Sequence, residues 1–178
     1  MNADSLVFGM RCVTCDAGKS RSKKEHVANP THEKWNIFNS IKDNRKILSN
    51  LYEQPMVIDG LTFKTVEHYL QYRKIRLANA KIADGTFPME SKSKVALGSG
   101  FDAQKARKIV KLTDEQLKYW HDIEQPKAKE MAKKAKFAKG TIAYTLLKST
   151  NNAQLWSYAP RHPLVRMKRT EELRDSLE

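Results

Sequence analysis

The segment from Met56 to Leu77 constrains this chain more than any other. Met56-Val57-Ile58 and Leu61-Thr62-Phe63 flank Asp59-Gly60, and an Asp-Gly pair between two short apolar runs is a hairpin signal. Thr65 suits an N-cap, where its side chain accepts a backbone N–H. A helix therefore starts just after it, and Glu67 falls in the first turn. Gln71 and Lys74 follow at i+4 and i+7, so a carboxylate, an amide and an amine share one stripe. Val66, Tyr69, Leu70 and Leu77 supply the apolar side, which buries the helix against a core while the polar stripe faces a cleft. On periodicity alone the stripe reads first as a solvated Glu-Gln-Lys ladder of the kind common on helix surfaces.

Downstream the pattern is mostly helical. Thr113-Asp114-Glu115-Gln116 is a capping box, Pro126 suits a first helical turn, and Gly140 suits the end of the Lys-rich helix it follows. Gly98-Ser99-Gly100 matches no phosphate-loop spacing and reads as a turn before a helix that Asp102 caps. Trp35-Asn36-Ile37-Phe38 reads as an opening strand. Short strands leading into several helices, with no repeat, predict an α+β fold. The expected arrangement is a predominantly helical single domain over residues 33–178 with a small N-terminal β element. Residues 1–32 combine a short apolar start, Leu6-Val7-Phe8, with a Lys/Arg/Ser-rich run and Asn29-Pro30. They read as a basic, flexible extension that the domain does not need in order to fold.

With 178 residues and 40% hydrophobic content, the chain can bury one substantial core. Lys and Arg number 33 against 20 Asp and Glu, a formal charge of +13. That field favours anionic partners, nucleic acid among them, and is also compatible with charge kept for solubility. No apolar run reaches bilayer length and the N-terminus lacks a signal organisation, so a soluble, cytoplasmic protein without membrane contact is expected. Cys12 and Cys15 are too few for a disulfide framework. They form a Cys-x-x-Cys followed by His26 and His32, loosely like a zinc site, but the spacer between them has no bulky apolar residue to pack beneath a metal. No metal and no cofactor is assigned.

Ser49-Asn50, Asp59-Gly60, Thr65-x-Glu67-His68-Tyr69 and Gln71-x-x-Lys74 resemble, in order and spacing, the NADAR family of YbiA-like N-glycosidases. Ile37-Phe38, Trp120, Ala135-Lys136-Phe137, Leu146-Leu147 with Thr150, and Leu173-Arg174 match further family landmarks, so the resemblance spans roughly residues 35–178. It implies hydrolysis of an N-glycosidic bond to a phosphoribosyl or ADP-ribosyl group, such as ADP-ribosylated guanine or a ribosylamino metabolite. Departure of a base from ribose C1 leaves an oxocarbenium-like centre, which a carboxylate stabilises. The family pattern puts Glu67 in that role. It also implies a participating lysine, for which Lys74 matches by motif position and Lys136 is second. Trp120 offers a flat face for a heterocycle. Phe38, Asn39, Ser49 and Asn50 are the expected ribose and phosphate contacts, with His68, Gln71 and Arg107 completing the substrate set.

One departure bears on activity. Family members that act on small phosphoribosyl metabolites commonly end with Asp-x-Tyr-Trp-Gly, whereas this chain has Leu155-Trp156-Ser157-Tyr158-Ala159-Pro160-Arg161-His162. Either Trp156, Arg161 and His162 serve a different anionic substrate, or the domain is a catalytically inactive basic module that binds nucleic acid or an assembly partner. In that second reading the Lys127–Lys139 segment and the N-terminal extension make the contacts.

Overall fold

The computed structural model describes residues 5–10 and 32–177. In chain order they form β1 (Ser5–Phe8), α1 (Asn36–Ser40), β2 (Met56–Ile58), β3 (Leu61–Phe63), α2 (Val66–Arg76), α3 (Ala80–Asp84) and α4 (Gly100–Lys105). There follow α5 (Asp114–Tyr119), α6 (Gln125–Lys136), α7 (Ile142–Ser149), β4 (Gln154–Ser157), β5 (Val165–Arg166) and α8 (Lys168–Ser176). The fold is α+β, with helix outweighing strand. Packing divides it into two compact units, Asn50–Ala138 and the pair of segments Met1–Ser49 and Lys139–Glu178.

In the Asn50–Ala138 unit, β2 and β3 pair antiparallel with Ile58 opposite Leu61, leaving Asp59-Gly60 as a two-residue loop. Both loop residues have positive φ, 52° and 78°, the turn geometry whose twist suits paired strands and which Asp-Gly tolerates. Thr65 caps α2 through its side chain, which accepts from the His68 N–H at 3.3 Å. One face of α2 then buries Val66, Tyr69, Leu70, Tyr72 and Ile75 in a core that also holds Met56, Phe63, Phe87, Leu112 and Trp120. The Phe63 ring lies 5.1 Å from Tyr69 and 5.0 Å from Tyr72. The turn before α4 is shorter than expected and its cap is Ser99, not Asp102: the helix begins at Gly100, and the Asp102 carboxylate, at the third helical position, accepts the Ser99 N–H at 2.9 Å to close a capping box. A Cβ on Gly100 would sit 2.7 Å from the Leu51 backbone, so this close approach requires glycine.

Pro126 does more than begin a helix. From the Thr113–Gln116 capping box onward, α5 runs into a π turn at Trp120–Glu124 and on into α6. Pro126 has no N–H for the Asp122 carbonyl and its ring crowds that oxygen, so the ladder widens in the turn before it. In α6 the buried residues are Ala128, Ala132 and Lys136, one per turn. The two alanines let this helix lie close against α2 and β2.

The other unit carries a three-stranded sheet in the order β1-β4-β5. Leu6 lies opposite Leu155 in a parallel pair and Trp156 opposite Arg166 in an antiparallel one. Leu146, Leu147 and Thr150, landmarks in the sequence, are fully buried. Thr150 Oγ1 donates to the Leu147 carbonyl at 2.7 Å, and α8 is held by Arg174, which donates to the Ala153 carbonyl at 2.7 Å and to Thr150 Oγ1 at 3.3 Å.

Two expectations need correction here. Trp35–Phe38 is not a strand: a short 3₁₀ turn at Glu33–Trp35 leads into α1, and Trp35 and Phe38 are buried three residues apart while Ile37 is exposed. A strand would have put Trp35 and Ile37 on one face. Residues 1–32 are not extension throughout, because Ser5–Phe8 is β1, with Leu6 and Phe8 buried. Three apolar residues suffice when a strand edge supplies the hydrogen bonds. Cys12, Cys15 and His26, and the basic run between them, lie outside the described residues. Among those described, no group of three or more His, Cys, Asp or Glu side chains could hold a metal, and no helix is long and apolar enough to cross a membrane.

Candidate functional site

Four of the sequence candidates converge in the Asn50–Ala138 unit. Glu67 sits in the first turn of α2, its backbone N–H donating to the Asn50 carbonyl at 3.0 Å. Its carboxylate accepts from Gln71 Nε2 at 2.8 Å, one turn along. Burial pushes the Glu67 carboxyl above the ordinary carboxylate value, and it outweighs three opposing effects: the Gln71 hydrogen bond and the positive charges of Arg107 and Lys74. The last two effects locate Arg107 and Lys74 within electrostatic reach of Glu67. Arg107 and the neighbouring Lys108 and Lys111 are exposed and make no ion pair among the described residues. A carboxyl whose proton affinity burial raises can serve a leaving group, and the cations beside it can receive an anionic ligand.

Lys136 is the strongest ionisable feature of the unit. It is 3% exposed at the end of the Ala128-Ala132 stripe, with its amine 5.9 Å from the Phe137 ring. Burial lowers its pKa to about 7, so a large share of the amine is the neutral, nucleophilic form near neutral pH. The Lys136 carbonyl accepts from Gln54 Nε2 at 2.8 Å. Gln54 escaped the sequence reading because no motif marks it. Lys136 was legible only as the second-ranked lysine, although its i+4 spacing from Ala132 and Ala128 was the available sign that it faces inward.

Other candidates are placed differently. His68 is fully buried, with Nε2 2.8 Å from the Val95 carbonyl and Nδ1 2.9 Å from Thr65 Oγ1. Because the carbonyl only accepts, Nε2 carries the proton and Nδ1 accepts from the threonine hydroxyl. Burial lowers its pKa, against the Val95 hydrogen bond. His68 thus locks the start of α2 instead of contacting substrate. Trp120, 3% exposed, packs in the core of the same unit. The π turn at this point directs it inward.

Phe38, Asn39 and Ser49 belong to the other unit. Phe38 is fully buried between Trp35 at 6.0 Å and Phe8 at 6.2 Å, with the Arg45 guanidinium 5.1 Å over its ring, so it lines no binding surface. Asn39 is exposed on α1 and Ser49 is half-buried, its N–H donating to the Lys46 carbonyl at 2.9 Å. In the same unit Trp156 is half-buried in β4, while Arg161 and His162 are exposed, Arg161 with a φ of 65°.

No family model and no curated protein matches the chain. Among solved structures, the NMR structure of the E. coli protein YbiA is similar, with a TM-score of 0.50 and 24% sequence identity. The match covers 67% of this chain and 64% of YbiA. Over that part, the chain has a YbiA-like fold.

Proposed function

We propose that the chain is a NADAR-type N-glycosidase that releases a nitrogen base or amine from C1 of a phosphoribosyl or ADP-ribosyl group. The observation that carries this reading is the Glu67 carboxyl, desolvated, bonded to Gln71 and bordered by Lys74 and Arg107. Glu67 in its protonated form donates to the departing nitrogen as the C1–N bond breaks, and its carboxylate then offsets positive charge at C1. Lys74 and Arg107 receive phosphate oxygens.

For the lysine, burial favours Lys136 over Lys74. The neutral Lys136 amine attacks C1, the ring oxygen takes a proton as the ring opens, and the resulting imine is hydrolysed by water to return the amine and the free sugar. Borohydride added during turnover of an ADP-ribosylated guanine nucleotide should trap an adduct in wild type and in Lys74→Arg but not in Lys136→Arg. An adduct that persists in Lys136→Arg and disappears in Lys74→Arg would return the role to Lys74.

The exposed Arg107, Lys108 and Lys111, free of ion pairs among the described residues, favour a second reading in which the unit is an inactive module that binds nucleic acid. Absent turnover combined with DNA or RNA binding that weakens steeply with salt would establish that reading.

A further inference from the structure

Among the described residues, two buried side-chain atoms meet no hydrogen-bond donor of the protein, and both are glutamine carbonyl oxygens: Gln54 Oε1 and Gln71 Oε1. Such atoms are rare, because desolvation is left uncompensated. Neither amide gains by turning round. Gln54 Nε2 donates at 2.8 Å to the Lys136 carbonyl, which can only accept, and Gln71 Nε2 donates at 2.8 Å to Glu67 Oε1, which accepts as a carboxylate oxygen and also as the carbonyl oxygen of an acid whose proton sits on Oε2. Gln54 is therefore tied by its nitrogen to the backbone of Lys136 and Gln71 to the Glu67 carboxyl, and each holds its oxygen without a protein match. The Gln54 backbone is fixed as well, its N–H donating to the Lys64 carbonyl at 3.1 Å.

We propose that Gln54, together with Gln71, reads the ligand: the two oxygens are pre-oriented acceptors for the hydroxyl donors of a polyhydroxylated ring, the ribose of a ribosyl or ADP-ribosyl group. The choice of ribose rests on the glycosidase reading above. An acceptor oxygen repels phosphate, so these amides take the sugar while Lys74 and Arg107 take the phosphates. Ligand binding then supplies what folding leaves undone at the two atoms.

The test uses ADP-ribose as the probe, with calorimetric binding and the thermal midpoint measured on the full chain for wild type, Gln54→Met and Gln71→Met. Methionine keeps the length of the side chain and removes both polar ends. Each variant should bind ADP-ribose about five- to tenfold more weakly without a lower midpoint, since the unmatched acceptor disappears along with the bond that braced it. Wild type supplies an arm that does not depend on any variant folding: ADP-ribose with the terminal ribose 2′ and 3′ hydroxyls replaced by hydrogen should bind weakly in the same proportion. Variants that do fold should scarcely distinguish the two ligands. Equal binding of ADP-ribose by wild type and both variants, or a lowered midpoint with unchanged binding, would overturn this inference alone by reducing the glutamines to braces. Failure of wild type to bind ADP-ribose would overturn it together with the glycosidase reading.

Discussion

Glu171 and Glu67 are both helix carboxylates drawn at least partly out of water, yet their pKa values move in opposite directions. At Glu171, in the sheet-bearing unit, burial opposes ionisation, but Arg166 donates two hydrogen bonds at 3.2 and 3.0 Å and the Leu155 N–H a third at 2.8 Å, which together hold the group below the ordinary value. Glu67 receives one amide hydrogen bond and two cations at a distance, and burial wins. The basic residues divide the same way. Arg174 is buried but donates to the Ala153 carbonyl and Thr150, whereas Lys136 is buried deeply enough for its pKa to fall to about 7. Matched charge is not confined to one unit, because buried Glu124 pairs with Arg73 in the Asn50–Ala138 unit. What sets that unit apart is that burial drives Glu67 and Lys136 toward neutrality, a state that suits proton transfer and nucleophilic attack.

Exchanging charge for neutrality at each place sharpens that contrast, and the largest effect falls at Glu67. Glu67→Gln should lower turnover of an ADP-ribosylated guanine substrate by roughly two to four decades, while its thermal midpoint at pH 7 stays level or rises. The sign follows from linkage: a carboxyl raised in the folded state loses stability as pH climbs from its unfolded value through the folded one. Turnover within a factor of two of wild type would remove Glu67 from the chemistry.

At Lys136 the readout is stability first. A lysine lowered to about 7 when folded costs most below that pH and is relieved between there and the ordinary lysine value near 10.5. Wild type should therefore gain stability across that range, and Lys136→Met should flatten the profile and raise the midpoint near pH 6 by on the order of 10 °C. A midpoint that falls would mean that the contacts of the charged amine outweigh the cost of its burial.

Glu171→Gln tests the matched side. It should lower the midpoint by roughly 5 °C at pH 7, as two charge-assisted bonds weaken, and leave glycosidase turnover in folded protein intact. Because the folded pKa of Glu171 lies below its ordinary value, its contribution is present at neutral pH and lost as pH falls through the folded value, so the gap between variant and wild type should close in acid. A gap that persists unchanged in acid would point to packing instead of charge. Smallest of all, Thr113→Ala removes one exposed cap and should cost about 2–4 °C, with circular dichroism following the loss; no change would mean that the π turn and Pro126 alone fix where this helix begins.

How much of this the residues announced depended on range. The Asp59-Gly60 hairpin, the Thr65 cap and the Thr113–Gln116 capping box are local hydrogen-bonding problems with local solutions, and the sequence states them. The stripe from Glu67 through Gln71 to Lys74 follows from helical spacing once Thr65 sets its start. Trp35–Phe38 misled because its apolar residues fit a strand in composition, and only the partners of β1 and α1 decide that the buried pair is three apart. Trp120 misled because its role depends on a widened turn caused by a proline six residues later. Lys136 was hidden by its residue type, since a lysine on a Lys-rich helix is expected in water.

The widened turn at Trp120–Glu124 also bears on how the helix can tolerate change in length. A π turn holds one residue more than the α-helical ladder needs, so the flanking segments α5 and α6 keep their faces toward the core across a surplus position. His121, Asp122 and Ile123 are exposed within it. A deletion of one of these three draws on that surplus and leaves Leu117 and Ala128 facing the core as before, whereas a deletion anywhere else in the helix turns one end by about 100° against its neighbours.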